Sequence, residues 1–189
     1  MAKAFDRPLA LKESARLVNR IRGGFMTSSF GRSIAIAAAM TALSGGAQAA
    51  TVWTNWQAGV VGANSGGSAS GSVNGVSVDY VGELDSITTN GTDPRWNPAS
   101  TFIGGASTAS PSVVGDAIFL NGSGTGVNTI TFGSPVENPL IAIWSLGAPG
   151  IPATFSFNQT PTLQAGGPNS QFAGSTITVN GNVVSGIEG

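Results

Sequence analysis

The chemistry open to this chain rests on carboxylates. From Ala50 to Gly189 they are Asp79, Glu83, Asp85, Asp93, Asp116, Glu137 and Glu188, with Arg95 the single cation and no His, Cys or Lys. That inventory lacks a required residue for a Ser-His-Asp triad, a Cys-His pair, a Ser-Lys dyad, a Schiff-base lysine or a His/Cys zinc site. Glycoside hydrolysis by paired carboxylates is the one catalytic route it permits, and it needs two groups about 5–10 Å apart across a cleft. Glu83, Asp85, Asp93 and Glu137 are the residues from which such a pair would come. Nothing in their spacing sets two of them face to face, so no enzyme activity is expected.

Two binding sites are conceivable. Glu83, Asp85 and Asp93, with Asp116 nearby in sequence, could offer oxygens to Ca²⁺, which takes six to eight such ligands. Their spacing follows no EF-hand or other calcium repeat, and the plainer reading is solvated loop carboxylates with one paired to Arg95. No other cofactor is implied. The second candidate is Trp96 between Arg95 and Asn97, in a loop bracketed by Pro94 and Pro98. An exposed indole there could stack on a sugar ring; packing as a loop anchor is the plainer alternative. Trp53, Trp56 and Tyr80 are weaker candidates. Trp53 and Trp56 stand three apart, on opposite faces of an extended strand, which makes one of them core.

These residues belong to a chain whose charge is unevenly distributed. Seven of its eight cations (Lys3, Arg7, Lys12, Arg16, Arg20, Arg22 and Arg32) precede residue 33, whereas residues 50–189 carry a net charge of −6. A nucleic-acid partner is therefore not expected, because phosphate binding needs clustered cations. The basic stretch leads into Ser33–Leu43 (SIAIAAAMTAL) and then Ala47-Gln48-Ala49. A basic flank, a short apolar run and a small-x-small site have the form of a secretory signal peptide, with cleavage expected after Ala49 by signal peptidase. The run is too short to span a bilayer, which takes roughly 20 apolar residues. Met26 is an alternative start that would give a leader of ordinary length. On this reading residues 1–49 are an extension plus export signal outside the fold, the protein is secreted or on the surface of a bacterium, and residues 50–189 form one domain. With no cysteine, that domain must be stabilised by burial alone.

Residues 50–189 hold 14 Val and 9 Ile but 5 Leu, together with 15 Thr and 17 Ser, a balance that favours strands. Asn-Gly, the strongest short hairpin signal, occurs at Asn74-Gly75, Asn90-Gly91, Asn121-Gly122 and Asn180-Gly181. Alternation predicts strands at Val76–Tyr80, around Ile130 and Phe132, around Phe155 and Phe157, and from Ile177 through Asn180-Gly181 to Val184. Further strands are expected at Val52–Trp56 and Ala117–Leu120. Leu140–Leu146 is apolar on both faces, as in a central strand covered on both sides or one facing a partner. Gly82–Gly115 reads as long loops with one edge strand near Thr101–Ile103. Short strands with frequent turn signals predict an all-β fold, an antiparallel β-sandwich, jelly-roll-like. A parallel β-helix is the alternative, but it normally shows a fixed-period repeat and none is present.

Three blocks carry a family likeness: Thr51-Val52-Trp53-Thr54-Asn55-Trp56; Asn128–Phe132 leading into Asn138-Pro139-Leu140-Ile141-Ala142-Ile143-Trp144-Ser145-Leu146-Gly147; and Gly181–Gly189. Together they resemble the exported ectodomains of bacterial PEP-CTERM (exosortase-sorted) proteins. In that group the ectodomain is usually followed by further strands, a Pro-Glu-Pro motif, an apolar span and a basic tail, none of which falls within residues 1–189. The sequence therefore reads as a piece of such a protein, truncated at the C-terminus, or a relative without the sorting tail. The resemblance implies a cell-surface or exopolysaccharide-associated role, with extracellular polysaccharide or other surface proteins as partners, and it brings no active site. The functional expectation is thus a non-catalytic structural or matrix protein, then a carbohydrate-binding module, then a carboxylate glycosidase.

Overall fold

The computed structural model describes residues 14–19, 34–40, 50–91, 93–120, 122, 126–147, 150–167 and 177–187. Within them run thirteen strands: β1 (Ser14–Asn19), β2 (Ile34–Met40), β3 (Val52–Trp53), β4 (Asn55–Val60), β5 (Gly62–Val73), β6 (Val76–Leu84), β7 (Ser86–Thr88), β8 (Ala117–Leu120), β9 (Val127–Phe132), β10 (Leu140–Trp144), β11 (Ala153–Phe157), β12 (Thr178–Asn180) and β13 (Val183–Gly186). Two short 3₁₀ turns, Ala99–Phe102 and Pro111–Val113, lie in the loop between β7 and β8.

The strands form two antiparallel sheets, ordered β12-β13-β11-β1-β9-β6-β5-β4 and β10-β2-β8-β7, with β3 paired to β2. The fold is an all-β sandwich. Its inner core lies between the sheets: Trp56, Val78, Tyr80, Leu84, Ile130 and Phe155 of the large sheet meet Ile36, Ala38, Ile118 and Leu120 of the small one. The alternation read from Val76–Tyr80 is what places Val78 and Tyr80 inside, with Ser77 and Asp79 exposed.

The small sheet is covered on its other face too. Ala37, Ala39, Trp53, Ala117, Phe119 and Ala142 pack there against Trp96, with Phe102, Val114, Leu140 and Trp144 around them. This outer core explains the apolar run of β10: Ile141 and Ile143 join the inner cluster while Leu140, Ala142 and Trp144 join the outer one. Both faces of β10 are partly covered, as expected, but the strand stands at the edge of its sheet, not at its centre.

Several local expectations need correction. Val52–Trp56 is two strands, because the chain changes sheets at Thr54, whose N–H and hydroxyl both donate to the Ala38 carbonyl at 2.8 Å. The break sends Trp53 into the outer cluster and Trp56 into the inner one, so both indoles are core. Thr101–Ile103 is no edge strand: its first two residues complete a 3₁₀ turn, and the strand of this region is β7 instead. At Asn74-Gly75 both residues take positive φ (48° and 78°), as a type I′ hairpin requires. The last hairpin turns one residue later than its Asn-Gly suggests. Asn180 pairs with Val183, and Gly181, at φ 58°, leads a two-residue Gly181-Asn182 loop.

The largest difference concerns residues 1–49, which the sequence reading leaves outside the fold. The structure draws β1 and β2 from that range and sets both in sheet interiors. β1 lies between β9 and β11, and β2 lies between β8 and β10. The physical reason is compositional: an alanine-rich apolar run suits an export signal and equally suits a strand buried on both faces. The cleavage motif Ala47-Gln48-Ala49 lies outside the described residues.

Candidate functional site

The loop joining β7 to β8 carries most of the residues singled out for chemistry, and the structure ties them into the outer core. Asp93 begins it. Its side chain is fully buried and receives a two-pronged ion pair from Arg95, Nε to Oδ1 at 2.9 Å and Nη2 to Oδ2 at 2.7 Å, while the Arg95 N–H donates to Oδ1 at 2.9 Å. The Arg95 guanidinium carbon lies 3.7 Å from the centroid of the Phe119 ring and 5.7 Å from that of Trp144. The arginine is thus a planar clasp, joining the loop carboxylate to two aromatic rings of the small sheet.

Trp96, the preferred sugar platform, has no exposed surface. Its Nε1–H donates to the Asp116 carbonyl at 3.2 Å and its ring meets Phe102 edge-on at 5.3 Å. A ring held this way offers no face to a sugar, and the packing alternative is the one found. Asn97 is exposed, with its Nδ2 donating to the Pro94 carbonyl at 2.8 Å, so it closes its own turn. The trio Trp96, Arg95 and Asn97 therefore builds the loop and does not line a cleft.

The acidic set does not converge. Glu83 and Asp93 are buried and Asp85 is exposed; among the described residues no group of three His, Cys, Asp or Glu is arranged to hold a metal ion. Asp116 is buried and bridges two segments: Oδ2 accepts the Trp56 N–H at 2.9 Å and Oδ1 accepts the Gly91 N–H at 2.8 Å. Burial pushes its pKa above the usual carboxylate value, and the two backbone hydrogen bonds hold it back. Glu83 lies beside a second buried polar cluster. Tyr80 Oη donates toward the Glu83 carbonyl and, at 2.7 Å, the Asn128 Oδ1, which also accepts the Glu83 N–H at 2.8 Å. Burial, reinforced by the charge of Glu83, raises the Tyr80 pKa, so this hydroxyl stays protonated as a structural donor.

A concave feature lies elsewhere among the described residues. A groove of about 670 Å³ runs along β10 and the ends of β11 to β13, walled by the chain from Asn158 to Gly167. Phe132, Trp144 and Phe157 present partly exposed rings to it, and Asn138, Gln159 and Gln164 bring amides. Among the described residues lining it, none carries a charged side chain. Gln164 shapes the rim: its Oε1 accepts the Ala106 N–H at 2.8 Å, which ties the 158–167 segment to the β7–β8 loop. Aromatic rings with neutral amides are suited to uncharged, hydroxyl-bearing ligands. The groove is not visible in the sequence because its residues come from five separate stretches. The one available signal was β10, whose two apolar faces admitted a partner as an explanation.

Compared with known proteins, the chain matches no family model, no curated protein and no solved structure.

Proposed function

We propose that this chain is a non-catalytic, exported β-sandwich of a bacterial cell surface or extracellular matrix, of the PEP-CTERM type its sequence resembles. The observation that carries the non-catalytic part is the use of its acidic groups. Asp93 is paired with Arg95, and Asp116 accepts two backbone N–H groups, so each holds packing together instead of facing a cleft. The export part rests on the basic leader, the apolar run and Ala47-Gln48-Ala49. Expression in a bacterial host with cell fractionation tests it: the protein should be recovered outside the cytoplasm with Ala50 as its first residue. Retention in the cytoplasm with the leader intact would count against the reading.

A second reading, binding of a neutral polysaccharide, is favoured by the groove, whose described lining brings rings and amides together without a charged side chain. Gln159, exposed on its rim, is a suitable probe. Gln159→Ala should weaken retention on an uncharged polysaccharide by about tenfold, the value of one hydrogen bond at a binding site, with a circular dichroism spectrum matching that of the parent. Equal retention of both proteins, or none of either, removes the groove as a glycan site.

A further inference from the structure

β2 makes an unusual set of contacts for a segment read as an export leader. It is antiparallel to β8 through Ile34↔Leu120 to Ile36↔Ile118 and to β10 through Leu140↔Ala39 to Trp144↔Ala35. β8 and β10 are consequently parallel to each other and stand two strand spacings apart, about 9–10 Å. Every side chain from Ile36 to Ala39 is buried, Ile36 and Ala38 in the inner cluster and Ala37 and Ala39 in the outer one. Ala37 and Ala39 share the outer cluster with Trp53, Trp96 and Phe119, so a longer side chain there would have to displace packed rings.

From this we infer that the exported domain carries a strand-accepting slot between β8 and β10, whose ligand is an extended peptide segment of a partner protein. The ligand is defined by what the slot now holds: a strand antiparallel to both walls, with a branched apolar residue at the Ile36 position and small residues at the next three. The inference rests on the export reading for how the slot empties. Removal of residues 1–49 takes β1 from between β9 and β11 and β2 from between β8 and β10; at the second gap it leaves two rows of unpaired N–H and C=O groups facing each other over an apolar floor. Such edges recruit strands. A parallel pairing of β8 with β10 would close the gap only by moving β10 across the floor of both clusters, where Ile141, Ile143 and Trp144 are already packed. Main-chain bonds to both walls would supply affinity, and the packed rings beside the small residues would supply specificity.

The test starts from the full chain with a specific protease site placed between Met40 and Ala50, cut after folding, the N-terminal fragment being removed in denaturant. The remainder is refolded with an unlabelled peptide of Lys12–Arg20, which restores β1 between β9 and β11, and with a fluorescent peptide of Ser33–Thr41 or the same peptide carrying Ala38→Asp. The expected result is one peptide per chain, slowed hydrogen exchange in β8 and β10, and about tenfold or greater loss of affinity for the Asp peptide, which would bury a carboxylate. Uncut protein should take up neither peptide. The slot is overturned if the cut chain refolds and binds neither peptide, or binds both alike. Should the cut chain not refold with the peptide, the complete 1–49 fragment is added instead; its failure to restore the fold where the uncut chain refolds overturns the proposal too. The export reading stands or falls separately, on whether protein recovered outside the cell begins at Ala50.

Discussion

The inner and outer hydrophobic clusters are built by different means. The inner one is a meeting of two pleated faces, in which Val78, Tyr80, Ile130 and Phe155 arrive by alternation along their strands. The outer one pairs the back of the small sheet with an irregular loop, and its central residue, Trp96, is held by a hydrogen bond to Asp116, an edge contact with Phe102 and the neighbouring Arg95–Asp93 clasp. Periodicity suffices for the first kind of core. The second needs particular polar contacts to order a loop that has no ladder of its own, because each buried loop N–H and C=O must find a partner individually. Asp93 N–H to Gly115 O, Thr51 N–H to Thr108 Oγ1 and Trp53 Nε1–H to Ala109 O are three such solutions.

β2 is common to both clusters, and its substitution is the strongest way to break the comparison. Ala38→Asp places a carboxylate in the inner core and should cost about 4 kcal/mol or more, against less than about 0.5 kcal/mol for the exposed control Ala58→Asp. Urea unfolding followed by tryptophan fluorescence reads both.

Asp116 joins the clusters by a different route, since it holds the backbone of Trp56 from below the outer loop. In Asp116→Asn one oxygen can still accept, but the new NH₂ faces the other N–H donor. The loss should be about 1–3 kcal/mol in the same unfolding assay. The pH dependence follows from the raised pKa. The folded chain holds this proton more tightly than the unfolded chain, so Asp116 favours folding at low pH. That contribution is lost as pH rises from the ordinary carboxylate value through the raised one. A stability–pH curve of Asp116→Asn should lack this fall.

The two buried indoles sharpen the contrast with a smaller effect. Trp96 Nε1–H has an acceptor, whereas Trp56 Nε1 is buried without one. Trp96→Phe should therefore cost about 1 kcal/mol more than Trp56→Phe, because only the former forfeits a hydrogen bond and strands the Asp116 carbonyl. Equal losses would mean that the outer loop is held by apolar contact alone.

This division also explains what could be read from the sequence. β6, β9, β11 and β13 are visible because alternation and Asn-Gly turns are local signals, and β8 as a short apolar run. β5 is not: Gly62–Val73 is mostly Gly, Ser and Ala, with few side chains to reveal a period, and its pairing with β6 makes it a strand. The burial of Trp96 was equally hidden, since Pro94 and Pro98 mark a loop but cannot say that it folds back over a sheet. In Ser33–Leu43 one composition supports two roles, and only the register with β8 and β10 shows the second. The groove at β10 needed the assembled fold to bring Asn138, Phe157 and Gln159 together.

Hydrogen exchange on the intact chain tests most directly whether β2 completes the sandwich. The amides of Ile118 and Leu120 and those β10 amides that point toward β2 should exchange as slowly as Val78–Tyr80 at the centre of β6. If they exchange like an open edge while β6 remains protected, then β2 does not occupy its place between β8 and β10, and the two clusters do not share a strand.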